Sequence, residues 1–225
     1  MTDTDRHSQY SDGFENARER ILAAALKLAP FDGWTSIMID AAAQSVDVDK
    51  ATLSAAFPGG VSDVLRFWSE TLDRTMAETA LTEDFQTMRI RDKITALVRA
   101  RLDAMSSDKE AARRAAALLA APPNGPLAAR MSWSTADAAW RALDDKSTDF
   151  NFYTKRAILT GVLTSTFARW LSDDSEDRSA TDAFLDARIE NVMQIEKAKA
   201  KLRKIGINPA APVGWLAKLR YPHSN

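Results

Sequence analysis

The residues able to do covalent or proton chemistry are few and badly placed for it. The chain has two histidines, His7 and His223, and both fall in segments that read as flexible ends. A histidine-based triad needs an imidazole held in a core. A carboxylate-bridged di-iron site in a helical bundle needs Glu-x-x-His pairs projecting inward, and none occurs. There is no cysteine, which excludes disulfides, thiolate chemistry and thiolate-held zinc and suits a reducing compartment. No glycine-rich loop of the phosphate-cradling kind is present. The remaining acid–base candidate is the pair Asp173-Asp174, within SDDSEDRS, where solvated charge is the simpler account. These absences point to a non-enzymatic binding protein with neither cofactor nor metal.

Binding chemistry has a clearer candidate, STDFNFYTKR at positions 147–156. Ser147, Thr148 and Asp149 are three possible helix N-caps, and Asp149 also suits the positive end of a helix. Phe150, Phe152 and Tyr153 crowd the first turn. Two readings stand: the rings are core and staple residues, or they form an apolar anchor rimmed by charge, as a partner hot spot does.

The elements that must position these residues are all helices. Apolar residues recur at helical spacing, and glycine and proline cluster at a few breaks. Helices are predicted from about Glu15 to Ala29, stopped by Pro30 and Gly33; from Ser36, capped by Thr35, to Ser45; from Asp49 to Phe57; and around Val64 to Leu72. The clearest stripe is Ile90, Ile94, Leu97, Val98, Leu102 and Met105. Further helices are predicted over Lys109–Ala121, Leu127–Leu143, Asp149–Leu171 and Thr181–Ile195. The fold class is all-α, a three-helix head with a helical bundle behind it. The expected divisions are a disordered tail at 1–14, a head at 15–60, a ligand-binding and dimerisation domain at 61–195 and a basic tail at 196–225. No run of about 18 apolar residues exists to span a bilayer, and the acidic N-terminus is unlike a signal or mitochondrial presequence.

RILAAALKLAPFDGWTSIMIDAAAQSVDVDKATLSAAFPGGVSDVL resembles the helix-turn-helix head of TetR-type regulators. Charge argues against DNA reading. Between Ser36 and Arg66 four acids, Asp40, Asp47, Asp49 and Asp63, face two bases, Lys50 and Arg66, whereas DNA affinity rests on Lys and Arg at phosphates. Ser54-Ala55-Ala56 and Gly59-Gly60 stand where such readers commonly carry aromatic, polar or basic residues. Of the base-reading types only Gln44 and Lys50 remain, with Arg18, Arg20 and Lys27 as other possible phosphate contacts.

From Ala117 to Met193 the sequence resembles a second, narrower family: the TetR-like lipid-binding auxiliary proteins of ubiquinone (coenzyme Q) biosynthesis. The resemblance is carried by STDFNFYTKR, by the Trp-Leu…Asp-Ser-Glu-Asp loop and by the Phe-Leu…Arg-Ile-Glu-Asn-Val-Met end. With the head it covers about residues 15 to 195. It implies a homodimer that does no chemistry itself. Such a protein holds isoprenoid quinone precursors or phospholipid and presents the quinone to the demethoxyubiquinone hydroxylase. It implies that Asp149, Asn151, Phe152, Tyr153 and Arg156 lie on or beside the hydroxylase-facing surface. Phe152 departs from the family, where tryptophan is usual. For the lipid pocket the expected lining is Leu97, Leu118, Trp140, Leu163 and Phe167, with small residues such as Gly161 serving close packing or ligand space.

The tail changes character. After Glu196 come seven bases, and Trp215, Leu216, Lys218 and Leu219 follow Pro212. A basic stretch beside a Trp-Leu face suits an anionic membrane surface; a solvated, disordered end is the other reading. The expected location is the bacterial cytoplasm, peripheral to the inner membrane. The rival function is a TetR-type transcriptional regulator with a small apolar effector.

Overall fold

Helical periodicity and sparse breakers yield ten α-helices in the computed structural model, which describes the backbone of residues 3–148 and 150–204 and the side chains of 13–148 and 151–194. They are α1 (Asp3–Asp32), α2 (Ser36–Ser45), α3 (Lys50–Ala56), α4 (Val61–Glu78), α5 (Glu83–Thr87), α6 (Ile90–Ala104), α7 (Lys109–Ala120), α8 (Gly125–Ala142), α9 (Phe150–Leu171) and α10 (Ser179–Lys204). Among the described residues there is no strand.

Three boundaries differ from expectation. The first helix begins at Asp3, not near Glu15, so the stretch read as a disordered tail is helical backbone from its third residue. Asp3 and Asp5 sit at the end where the helix dipole favours acids, and no proline interrupts the turns that follow. Pro30 does not stop α1 either. The chain runs two residues further and closes at Gly33, whose φ of 69° suits glycine and whose N–H donates to the Ala29 carbonyl at 3.0 Å. At the other end α10 continues nine residues past Ile195. Helix α5 and the 3₁₀ turn before it, Thr79–Leu81, were not anticipated, because three to five residues are too few to show a period.

The capping expectation at Thr35 holds: its hydroxyl accepts from the Met38 N–H at 3.1 Å. Helices α1–α3 form the head. Helix α4 joins it to the bundle by burying opposite sides. Phe67 meets Phe57 edge-on at 5.8 Å, and Trp68 stacks on Trp34 at 5.7 Å. Burial of each such ring contributes about 1.5–3 kcal/mol. The Trp34 indole donates to the Ala111 carbonyl at 3.0 Å, which fixes the head against α7. Behind α4 stand α6, α8 and α9, with α10 packed along α9.

Candidate functional site

The interior of the bundle is not filled. A cavity of about 400 Å³ lies between α4, α6, α7, α8 and α9, walled by Leu65, Leu72, Leu102, Met131, Leu163 and Phe167 among others. That volume lies in the range of small-molecule sites, which are mostly apolar with a few placed polar groups. Of the expected lining residues, Leu163 and Phe167 are on its wall. Leu97 is not: it is fully buried in the core, on neither cavity's wall. Leu118 is also absent from both walls, while its neighbour Leu119 lines the first. Trp140 lines a second cavity of about 440 Å³ between α6, α8, α9 and α10. Its indole nitrogen is buried with no partner. One helix divides the two spaces: Leu163, Phe167 and Leu171 face the first, and Ile158, Leu159 and Val162 the second. A Cβ on Gly161 would meet nothing within 4 Å, so that glycine serves no close packing in this chain.

The start of α9 is where the aromatic cluster stands. Tyr153 is 62% exposed and Phe152 half-buried, their ring centroids 5.1 Å apart. Trp133 of α8 extends the group at 6.4 Å from Tyr153. Asn151 is exposed; Asp149 lies outside the described residues. Arg156, expected on or beside the surface, is 2% exposed. Its Nε donates to Asp137 at 2.6 Å and its Nη1 to Asp145 and to the Phe152 carbonyl, both at 3.3 Å. The guanidinium also lies 3.5 Å from the centre of the Phe152 ring. Arg156 thus holds the anchor from beneath and presents nothing itself. It fell inside because two carboxylates from α8 and the following loop meet there, and a buried charge must be paired.

Asp145 also accepts from Lys155 at 2.6 Å and from Ser147 at 2.9 Å. Burial pushes the Asp145 carboxyl up, but hydrogen bonds from Lys155 and Ser147 outweigh it and hold the group below the usual carboxylate range. Ser147, a candidate cap, is committed to this cluster.

Asp173 has a structural duty too. Its carboxylate accepts from the Ser175 hydroxyl at 2.6 Å, and from the Thr181 hydroxyl and N–H at 2.6 and 2.7 Å. These bonds hold its pKa well below the usual carboxylate range. It is only 5% exposed, so it is a buried cap for the first turn of α10, not part of a solvated pair. Among the described residues no three histidine, aspartate or glutamate side chains converge as metal ligands would.

The acids of the head have local reasons as well. Asp47 sits at φ 54°, a left-handed position that short polar residues tolerate. Asp49 caps α3 through the Thr52 N–H at 2.8 Å. Asp63 accepts from the Gly59 N–H at 2.6 Å and pairs with Arg66. Asparagine serves the first two positions equally well without charge, so geometry does not require negative potential on this face. The basic residues proposed as phosphate contacts are partly committed. Arg18 lies 4.0 Å from the Phe67 ring centre and pairs with Glu15 at 3.5 Å, and Arg20 donates to the Val46 carbonyl. Lys27 and Lys50 are exposed.

Trp215, Leu216, Lys218 and Leu219 lie outside the described residues. Among the described residues no helix is long and apolar enough to cross a membrane.

The family model described as COQ9 matches residues 125–196, the stretch that holds α8, the aromatic cluster, α9 and most of α10. The chain is 30% identical over 220 residues to the ubiquinone biosynthesis protein COQ9, mitochondrial, of Rattus norvegicus, covering 90% of this chain and 68% of that protein. It is 29% identical over 220 residues to the protein of the same name from Homo sapiens, covering 90% and 67%. The crystal structure of a TetR transcriptional regulator from Nitrosomonas europaea superposes with a TM-score of 0.63 at 20% identity, over 77% of this chain and 95% of that one. That likeness is one of fold.

Proposed function

Because this chain belongs to the COQ9 family, we propose that it serves ubiquinone biosynthesis as a non-catalytic carrier, holding an isoprenoid quinone precursor or a phospholipid and presenting it to the demethoxyubiquinone hydroxylase. The observation that carries this reading is the cavity of about 400 Å³, which the described residues wall mainly with aliphatic, aromatic, alanine and methionine side chains, Ser69, Arg101, Ser132, Thr135 and Thr164 being the polar ones. An isoprenoid or acyl chain gains there what any apolar surface gains on leaving water, about 25 cal/mol per Å².

The partner surface in this reading is the exposed aromatic face at the start of α9. Tyr153 and Phe152 are its anchors, Asn151 and Asp149 its rim and Arg156 its support. The protein works as a homodimer with its head at 15–60 and its lipid domain at 61–195. It docks on the cytoplasmic face of the bacterial inner membrane, with Trp215, Leu216, Lys218 and Leu219 as the contacting residues.

Native mass spectrometry of the protein purified from its own host tests the reading. Recovery of bound quinone precursors or phospholipid is the expected result. A protein that emerges without any lipid, and takes none from added vesicles, contradicts it.

A further inference from the structure

One corner of the apolar cavity is polar. Arg101 of α6 is the one charged residue among the described residues that line the cavity. Its side chain is 14% exposed, and its guanidinium is tied to three side chains. Nε donates to Asp73 of α4 at 2.8 Å, and Nη2 donates to Ser69 at 2.9 Å and to Thr135 of α8 at 3.4 Å. Thr135 in turn donates to the second Asp73 oxygen at 3.1 Å. The carboxylate is therefore engaged on both oxygens and stands behind the arginine, off the cavity wall.

The guanidinium is not saturated. Of its five N–H groups, the two on Nη1 meet, among the described residues, only the Met105 sulfur, at 3.7 Å. A thioether is a weak acceptor. A buried N–H without an oxygen or nitrogen partner is costly, and a ligand that supplies one recovers the cost.

Arginine and carboxylate together carry no net charge at this corner. An anionic head would enter a low-dielectric space where Asp73 already matches the one cation among the described lining residues. A neutral oxygen acceptor meets the spare N–H groups and brings no charge to desolvate.

We propose that Arg101, oriented by Asp73, Ser69 and Thr135, is the head-group anchor of the cavity, and that it selects chains ending in an uncharged oxygen acceptor, such as a quinone or ester carbonyl, over hydrocarbon or anionic ends. The inference rests on the lipid-holding reading of the cavity. It adds which end of the ligand meets the corner between α4, α6 and α8.

Three probes with one decyl chain test it by calorimetric titration of the full chain: decyl-1,4-benzoquinone, decylbenzene and 4-decylbenzoate. The native protein is expected to bind the quinone at least tenfold more tightly than decylbenzene and more tightly than the benzoate. The double variant D73N/R101M removes both charges together, so neither is stranded. It is expected to bring the quinone within about twofold of decylbenzene while decylbenzene affinity is kept.

Equal native affinities for quinone and decylbenzene overturn the anchor, as does a preference that survives in the double variant. Tighter binding of the benzoate overturns the selection for a neutral head. Should the double variant fail to fold, the native ranking of the three probes decides alone. If the native protein binds none of them, the cavity reading itself falls; if decylbenzene binds as well as quinone, only the anchor does.

Discussion

At the scale of single residues, Arg156 and Tyr153 divide a task that the sequence presented as one cluster. Arg156→Met removes a side chain that is 2% exposed and pairs with both Asp137 and Asp145, leaving Asp137 its contact with Arg141 and Asp145 its contacts with Lys155 and Ser147. Both carboxylates keep another donor, so the loss is that of buried charge-assisted hydrogen bonds, about 1–3 kcal/mol, and urea unfolding is expected to shift by that amount. Tyr153→Lys changes an exposed ring and is expected to move stability by no more than about 0.5 kcal/mol. It is expected to weaken co-purification with the hydroxylase, and undiminished co-purification would remove Tyr153 from the contact surface. Tyr153 gives the cleaner test than Phe152, whose ring rests on Arg156. Gly161 makes a third case. It sits inside α9 with open space around its Cα, so Gly161→Ala is expected to raise stability by about 0.5–1 kcal/mol, read as a higher Tm.

At the scale of elements, the loop before α10 depends on Asp173. Its folded pKa is depressed, so its contribution is present above the ordinary aspartate value, about 3.9. That contribution is lost as pH falls below this value toward the folded one. Thermal melts are expected to weaken steeply below about pH 4. Asp173→Asn is expected to lower Tm at neutral pH and to flatten that acid limb; an unchanged acid limb would show that the cap is not what titrates. On α7, Ala116 lines the first cavity. Ala116→Phe is expected to occupy ligand space and cut lipid recovery in native mass spectrometry, with circular dichroism unchanged.

At the scale of the whole molecule, a TetR-like frame carries a head in which acids outnumber bases from Ser36 to Arg66. Phosphate neutralisation dominates affinity for DNA. Here Asp47, Asp49 and Asp63 lie around the α2–α3 turn and the start of α4, while Arg66, Arg18 and Arg20 are engaged within the protein. Gel shifts with fragments of the host genome are expected to show no sequence-selective binding in the low-nanomolar range. Such binding would revive the regulator reading. Trp34, hydrogen-bonded to α7 and stacked on Trp68, ties the head to the cavity-bearing bundle.

Helix positions were legible because a period of 3.6 residues is written locally. The stripe from Ile90 to Met105, the Thr35 cap and the break at Pro122-Pro123 each lie within a few residues of what they control, and the aromatic cluster at 150–153 is contiguous. The family was legible for a related reason: long strings of residue types survive without coordinates. What lies far apart in the chain was not legible. Arg101 finds Asp73 and Thr135 at separations of 28 and 34 residues, and Arg156 finds Asp137 at 19. Leu97 and Leu163 look alike in sequence, yet one is core and the other cavity wall. Composition and spacing determined that this chain would fold as helices around apolar faces. Whether a given face closes on another helix or on empty space depends on how several helices cross. Only the tertiary structure decides that, because packing is a property of non-neighbours.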